Sequence, residues 1–588
     1  MNFNRTFAIA LLGFWSVLPV WADLAGDQRD QAQVARMANW RAQRFGVFVH
    51  WGPYSLLGGS YKDEVYPGNT EWIMRTAKIS RDDYRNAATQ FDPSSFDAEK
   101  LVNEVKGAGA RYLIFTAKHY DGYALFDSKA SDFDSVDVMP SKRDIIAEVS
   151  KACRSEGVPL GFSYALDRDW YHPGGNTLGP PWDPSQSGGR DRYLSEVALP
   201  QIQELCSNYG AVFALHAHAG DGFHPNLRSS FSSVVDANTV MPWAFTGRDD
   251  YSYSDSAMRG HQYSGGDWEK CRTLGNSWGY RQGRVKWETP GEILKELIST
   301  ASMGGNYLLN VGLDGEGRIP PEAQAILDET GQWLSQYGES IYGTSRSPFL
   351  RHPWNGVATL KRQGEDGCFV YLHLFSNPGD QLSLEGLLPE PSEAQLLGSE
   401  QMLSISGHVG AWTLDTGSLN FGDDLKVIRL KLNKAPEMGR GPVVERSDRS
   451  FLLELGRGSY SDARTQLGRS ESSAELRLTS FRDEKETGTW QIFSKGTKRV
   501  RLKITASSDA SFDGSHRLIV KVGGEAPVEW ELFRSSDSRA TQAGALLSPE
   551  LLLPSGLSTL DICGPTTQEG ESAQSPITLT SLQLIPLR

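Results

Sequence analysis

The chain has 588 residues, and because single hydrophobic cores stop growing near ~250–300 residues, we expect two or three domains. Hydrophobic residues make up 39% and charged residues 22% of the chain, an ordinary globular balance without the signature of disorder. The net charge of −13 and the lack of long basic runs argue against nucleic acid as a partner, since phosphate binding needs clustered lysine and arginine.

The first 22 residues have the organisation of a signal peptide. Arg5 precedes an apolar run from Phe7 to Trp21, and Ala22 supplies a small residue for cleavage. The run is shorter than the ~20 apolar residues that a membrane-spanning helix needs. We therefore expect a secreted or periplasmic protein that has no membrane association after cleavage.

Residues 23–345 alternate between short apolar runs and amphipathic stretches. The apolar runs are predicted to be strands, at 45–50, 111–116, 159–164, 211–215 and 306–311. The amphipathic stretches are predicted to be helices, at 97–106, 144–156, 192–208 and 291–303. This order indicates the α/β class, as a parallel barrel or an open doubly wound sheet. No glycine-rich nucleotide-binding motif follows a predicted strand, so no cofactor is expected.

Polar and aromatic side chains stand at the ends of these predicted strands. His50 closes the first, His119 follows the second, Tyr164 closes the third, and His216 and His218 follow the fourth. In barrel enzymes the carboxyl ends of the strands carry the chemistry. We therefore expect these side chains to converge at the mouth of a barrel, the end at which the strands have their carboxyl ends.

The C-terminal part of the chain changes to alternating polar and apolar runs separated by Gly, Ser and Asp turns. This pattern is typical of β-sandwiches. We predict one sandwich over 346–432, a linker over 433–449 and a second sandwich over 450–588. The second sandwich is a candidate for carbohydrate binding through Trp490 or Trp530, although the alternation also allows both to be core residues.

Six blocks in the N-terminal part, taken together, carry a family resemblance. They are Arg44-Phe-Gly-Val-Phe-Val-His-Trp-Gly-Pro-Tyr-Ser55 and the segments 70–72, 116–122, 268–280, 304–310 and 338–342. In this order they resemble glycoside hydrolase family 29, the α-L-fucosidases. The resemblance spans about residues 35–345 and implies a (β/α)8-like TIM barrel followed by a β-sandwich, to which the sequence pattern adds a second sandwich. It also implies an exo-glycosidase that removes terminal α-L-fucose, or a related sugar, from an oligosaccharide or polysaccharide.

The resemblance also implies which residues hold the sugar. The expected substrate-binding residues are His50, Glu71, Trp72, His119, Tyr164, His216 and Trp278.

The chain departs from the family pattern where the nucleophile is expected. The family block ends in Ile-Trp-Phe-Asp-Gly, with the aspartate as nucleophile, whereas 209–219 place His216 at the tryptophan and His218 at the aspartate. Tyr120 replaces the second histidine of the family's Lys-His-His-Asp-Gly. The segment 240–243 lacks the arginine of the family's Asn-Asp-Arg-Trp.

A first interpretation keeps glycoside hydrolysis with relocated groups, so that His218, Asp221 and Asp255 are the candidate catalytic residues. Asp221 would act as nucleophile or as base for a water, and Asp255 or Glu269 as the acid. Covalent attack by His218 is unusual chemistry. Its use as a general base, with inversion, is the more natural role.

Two other interpretations stay open. His216 and His218 lie two apart on a strand and face the same side, where His50 and His119 also end, so the four could bind a metal ion such as zinc. Alternatively, the barrel is a non-catalytic carbohydrate-binding protein. We expect hydrolysis without a metal.

Overall fold

The computed structural model describes residues 34–166, 168–176, 178–218, 243–244, 252–254 and 267–349 of the N-terminal part. Beyond these it describes 352–364, 367–387, 389–408, 410–422, 425–434, 436, 443–444, 451–452, 459–460, 466–469, 476–480, 487–494, 497–508, 516–523, 525–533, 544–553, 556–563 and 577–587. The chain divides into two compact units, the first ending at residue 347 and also including 359–361. The predicted signal peptide, Asp221 and Asp255 lie outside the described residues.

Eight parallel strands form the sheet of the first unit. They are β1 (Phe45–His50), β2 (Leu113–Lys118), β3 (Leu160–Ala165), β4 (Leu215–His218), β5 (Trp243–Ala244), β6 (Ser252–Ser254), β7 (Trp268–Thr273) and β8 (Asn306–Gly312). Their order is β5-β4-β3-β2-β1-β8-β7-β6, so the first strand pairs with the last. Within the described residues only the β5–β6 junction lacks a pairing. The arrangement is consistent with a TIM-barrel-like domain.

Helices separate most of these strands. They are α1 (Pro53–Leu57), α2 (Ile73–Thr76), α3 (Arg81–Ala88), α4 (Ala98–Gly107), α5 (Ile145–Glu156), α6 (Arg190–Tyr193), α7 (Leu199–Asn208), α8 (Pro290–Ser302) and α9 (Pro321–Tyr337). Asp97, Asp144 and Thr289 cap α4, α5 and α8 by accepting backbone N–H bonds, which stabilises these helix starts. These three helices begin and end within one residue of the predicted bounds. None of the helices in the described ranges is long and apolar enough to cross a bilayer.

Successive side chains along each strand point alternately to the inner face of the sheet and to the face that packs on the helices. Inner residues form one apolar cluster, made of Phe48, Tyr112, Ile114, Ala214, Cys271 and Leu308. His50 follows Phe48 by two positions in β1, so it shares the inner face at the carboxyl end of the strand. The alternation therefore sets which polar residues reach the mouth.

A β-bulge in β2 interrupts this alternation. Thr116 is in register with Ser163 of β3, but the next paired residues are Lys118 and Tyr164, so Ala117 is an extra residue. Lys118 consequently faces the helices, where its Nζ lies 2.6 Å from a carboxylate oxygen of Asp169. The residue after it, His119, is thereby directed to the inner face.

The second unit consists mainly of antiparallel sheets. Its strands are β9 (Gly356–Gln363), β10 (Gly367–Leu374), β11 (Gln381–Glu385), β12 (Pro391–Leu396), β13 (Ile405–His408), β14 (Ala411–Asp415), β15 (Lys426–Leu432), β16 (Val443–Val444), β17 (Phe451–Leu452), β18 (Ser459–Tyr460), β19 (Gln466–Arg469), β20 (Leu476–Ser480), β21 (Thr487–Ser494), β22 (Lys498–Ser508), β23 (His516–Val522), β24 (Val528–Phe533), β25 (Gly544–Leu553), β26 (Gly556–Cys563) and β27 (Ile577–Pro586). Strands β9 to β15 form a four-stranded and a three-stranded sheet, and β16 to β27 form two six-stranded sheets. Val443 and Val444, inside the segment predicted as a linker, pair with β21.

The two six-stranded sheets share one hydrophobic core. Trp490 and Trp530 belong to this core and are 1% and 6% exposed. The interpretation that these two tryptophans form a carbohydrate-binding surface is therefore wrong, because their rings are packed between the sheets. The described residues include all five cysteines, and none of them forms a disulfide bond.

Candidate active site

Two histidines lie side by side at the carboxyl ends of β1 and β2. The ring centroids of His50 and His119 are 5.4 Å apart, and that of Trp278 lies 5.5 Å from His50. Both histidines are buried, whereas Trp278 is half-buried. The structure thus brings together three of the residues predicted to bind the sugar, from three distant parts of the sequence.

Asn310 fixes the protonation of His50. The Asn310 amide nitrogen lies 2.9 Å from both the Trp278 carbonyl and the Thr273 hydroxyl, and a carbonyl can only accept. The amide oxygen therefore faces His50, 2.6 Å from Nδ1, and accepts a hydrogen bond from the Nδ1–H group. Burial lowers the pKa of His50 to about 4. The ring is consequently neutral at pH 7, and Nε2 keeps a lone pair that can accept from a sugar hydroxyl.

Glu71 is a buried carboxyl group of this region whose pKa is raised. It is 1% exposed, and it accepts the backbone N–H of Gly279 at 2.9 Å and the Ser277 hydroxyl at 3.4 Å. Burial raises the pKa of Glu71 to about 7, although these hydrogen bonds and the charge of Arg281 act in the opposite direction. Glu71 can therefore carry a proton near neutral pH.

An aromatic wall continues from His119. Tyr120 lies 4.4 Å from His119, 5.8 Å from Trp72 and 5.5 Å from Trp170, measured between ring centroids. Trp72 and Trp170 are themselves 5.6 Å apart. The predicted sugar-binding residue Trp72 is thus connected to the histidine pair through Tyr120.

The structure does not bring Tyr164 to this cluster. Tyr164 is in register with Lys118, which faces the helices, and its hydroxyl donates to Gln201 of α7 at 2.6 Å. Its side chain is fully buried, and the Lys118 ammonium lies 4.6 Å from its ring centroid. The prediction that Tyr164 contacts the sugar used only its position at the end of a strand, whereas its side chain lies on the face that packs on the helices.

His216 lies on the inner face but deeper than His50. Its Nε2 is 3.0 Å from a carboxylate oxygen of Glu269, and the other oxygen of Glu269 accepts the hydroxyl of Tyr112. The ring of Phe48 lies between the two histidines, with its centroid 5.9 Å from that of His216 and 4.3 Å from that of His50. Glu269, considered from the sequence as an acid, is fully buried in this interior contact. His216 and Glu269 therefore belong to the layer beneath the mouth.

The predicted catalytic residues are only partly within the described ranges. The backbone of His218 ends β4 in register with Ala165, whereas its side chain, Asp221 and Asp255 lie outside them. In the part of the chain that the structure describes, no three His, Cys, Asp or Glu side chains are arranged to hold a metal ion.

Three residues that hold the cluster were not singled out from the sequence. Asn310 orients His50, and Ser277 and Gly279 bind Glu71. All three lie within the blocks 268–280 and 304–310 that carry the family resemblance. Because buried polar side chains need hydrogen-bond partners, a search of these blocks for possible partners of His50 and Glu71 could have identified them.

Comparison with known proteins identifies the family. The α-L-fucosidase family profile matches residues 25–339, which is more than half of the chain. An α-L-fucosidase of Dictyostelium discoideum is 26% identical over 422 residues, covering 63% of this chain and 86% of the relative. The human plasma α-L-fucosidase is 27% identical over 379 residues, covering 60% of this chain and 76% of the relative.

Solved structures extend the similarity to the second unit. The α-L-fucosidase from Vibrio sp. strain EJY3 superposes with a TM-score of 0.65 at 25% identity, covering 94% of this chain and 97% of its own. A family 29 α-L-fucosidase from Bacteroides thetaiotaomicron, trapped as a covalent intermediate with 2-fluoro-fucosyl fluoride, has a TM-score of 0.60 at 25% identity, covering 67% and 95%. With the profile match, these similarities show that the chain belongs to the α-L-fucosidase family of glycoside hydrolases.

Proposed function

We propose that this protein is an exo-acting glycosidase that hydrolyses terminal α-L-fucosides, or a closely related sugar, in oligosaccharides or polysaccharides. The observation that carries the proposal is the meeting of His50, His119 and Trp278 at the carboxyl ends of parallel strands in a member of this family. Tyr120 replaces a family histidine beside this group, which is the reason to include a related sugar.

The described residues would divide the work of binding. The Nε2 lone pair of neutral His50 accepts from a sugar hydroxyl, because Asn310 holds the proton on the other ring nitrogen. Trp278 and Trp72 offer apolar faces to the C–H groups of the ring. Glu71, whose pKa is raised to about 7 by burial, donates to a sugar oxygen while protonated and accepts when ionised.

Bond cleavage needs two further groups, a nucleophile or base and an acid. We assign the first role to Asp221, with His218 as a general base in an inverting alternative, and the acid role to Asp255. The Bacteroides relative forms a covalent intermediate, which supports a carboxylate nucleophile in the family. An aspartate close to the family position in sequence is the residue type best suited to that chemistry.

The domain organisation and location form part of the proposal. We propose that the parallel sheet of 23–345 closes into a (β/α)8 barrel and that 346–432 and 450–588 are β-sandwiches joined by 433–449. The shared core of the two six-stranded sheets supports the second sandwich. The segment 1–22 would direct the protein to the periplasm or the exterior and then be removed.

Hydrolysis assays on the full chain test the function. We expect release of aryl groups from an aryl α-L-fucoside or α-L-galactoside, unaffected by a chelator, and loss of most turnover in Asp221→Asn. As a control, Asp328→Asn removes an acid from α9 and should retain full turnover. If a set of aryl glycosides and natural fucosylated glycans is bound but never cleaved, the chain is a carbohydrate-binding protein instead. Loss of turnover on chelation would favour a metal-dependent reaction.

A further inference from the structure

Arg168, shortly after β3, stacks on an aromatic ring and has no carboxylate partner among the described residues. Its guanidinium carbon lies 5.1 Å from the ring centroid of Tyr120, and the side chain is half-buried. Its Nε is buried, and within the described ranges no acceptor bonds to it and no carboxylate pairs with the group. A buried N–H donor without an acceptor costs free energy until a ligand supplies the acceptor.

Two other arginines of the first unit are bound to protein groups. Arg85 donates to the carboxylate of Asp132 and to the hydroxyl of Tyr171. Arg281 donates to backbone carbonyls of the 66–68 turn. Arg168 thus differs from cations that serve to fasten loops.

The position of Arg168 connects it to the sugar-binding cluster. Tyr120, over which the guanidinium lies, is in ring contact with His119 and Trp72. Tyr120 also stands where the family has a histidine, so the stacked pair is a feature of this chain and not of the family pattern. Arg168 is thus separated by one ring, that of Tyr120, from two of the residues proposed to bind the sugar.

We propose that Arg168 binds an anionic substituent of the substrate, a sulfate ester or a uronic acid carboxylate, and that the natural substrate is therefore an acidic glycan. The inference rests on the proposed glycosidase function. A planar guanidinium binds either oxyanion through two parallel N–H bonds, which a neutral hydroxyl group does not reproduce. Arg168 is in this view a specificity-determining residue.

Binding can be tested without turnover. Thermal melting of the full chain is followed in sodium sulfate, sodium glucuronate and sodium chloride at equal ionic strength. We expect sulfate or glucuronate to raise the melting temperature of the wild type more than that of Arg168→Gln. The control Arg192→Gln, which removes an exposed arginine paired with Glu196, should respond like the wild type. Equal anion effects in the wild type and Arg168→Gln would overturn the proposal.

Kinetics then separates the two anions. Oligosaccharides that carry the same terminal fucose, with a neighbouring sugar that is neutral, sulfated or a uronic acid, are compared by kcat/KM. One acidic form should be preferred by about tenfold or more, since hydrogen bonds to charged groups are worth that factor. Arg168→Gln should lose this preference and keep its rate on the neutral form. An unchanged preference in the variant would refute the assignment, whereas absence of cleavage for every substrate would refute the glycosidase function and leave the melting assay to decide on Arg168.

The stability of the variant gives an independent check. If Arg168 served the fold, Arg168→Gln would lower the melting temperature in the absence of added oxyanion. A residue kept for an absent ligand should instead leave that temperature unchanged or raise it, because the variant no longer buries the Nε–H donor that lacks an acceptor. A loss of several degrees would therefore contradict the proposal.

Discussion

The buried carboxyl group of Glu71 should make the protein lose stability as the pH rises. Burial raises the pKa of Glu71 from 4.5 to about 7, so the folded chain holds this proton more tightly than the unfolded chain. The stabilisation that this proton gives to the folded state is fully present below pH 4.5, decreases as the pH rises and is lost above about pH 7. A shift of this size corresponds to about 3 kcal/mol, because each pKa unit is worth about 1.4 kcal/mol.

The substitution Glu71→Gln isolates this effect. Glutamine keeps an oxygen that can accept the N–H of Gly279 but does not titrate. Urea unfolding of the full-length wild type and variant at pH 5 and pH 8 gives the change in free energy of unfolding for each, and the wild type should lose about 2.5 kcal/mol more than the variant. Glu322→Gln, on the exposed first turn of α9, should behave like the wild type. Parallel pH dependence of the wild type and Glu71→Gln would show that Glu71 has no raised pKa.

Two further substitutions test other contacts of the fold and site. Asn310→Asp places a carboxylate against His50 Nδ1 and should raise the pKa of His50, which moves the acid limb of kcat/KM upward by about 1–3 pH units; an unmoved limb would contradict the assigned hydrogen bond. Lys118→Met leaves the buried carboxylate of Asp169 without its ammonium partner and should lower the free energy of unfolding by about 3–5 kcal/mol. In the control Lys106→Met, at an exposed ion pair, the loss in urea should be about 1 kcal/mol or less.

The sequence predicts strands best where every residue is apolar and buried. β1 begins and ends at the predicted residues because its two faces both pack in the interior. The sequence pattern does not predict β7 as a strand because charged residues occupy three of its six positions, Glu269, Lys270 and Arg272. Its Lys270 faces the helices and pairs with Glu296 of α8, whereas Glu269 turns inward to His216. Such partners are distant in sequence, so the strand pattern alone does not reveal them.

In the candidate site, too, motif positions predict some residues, whereas the surroundings of others depend on how the strands pair. His50, His119 and Trp278 were predicted from motif positions, and the structure brings them together. Tyr164 was placed by its position at a strand end, but which face it occupies depends on register with its neighbour. His216 was read as a sugar contact because of its family position, yet the depth of a residue inside a barrel depends on strand stagger, which a single sequence does not encode.

Because Ala117 is an extra residue, the length of β2 decides which side chain at its end faces inward. Removing one residue there would exchange the surroundings of Lys118 and His119, sending an ammonium group into the cavity and an imidazole among the helices, although the composition would barely change. This strand should therefore tolerate many conservative replacements but no shortening. Libraries built from insertions and deletions would find it among the least permissive segments of the first unit.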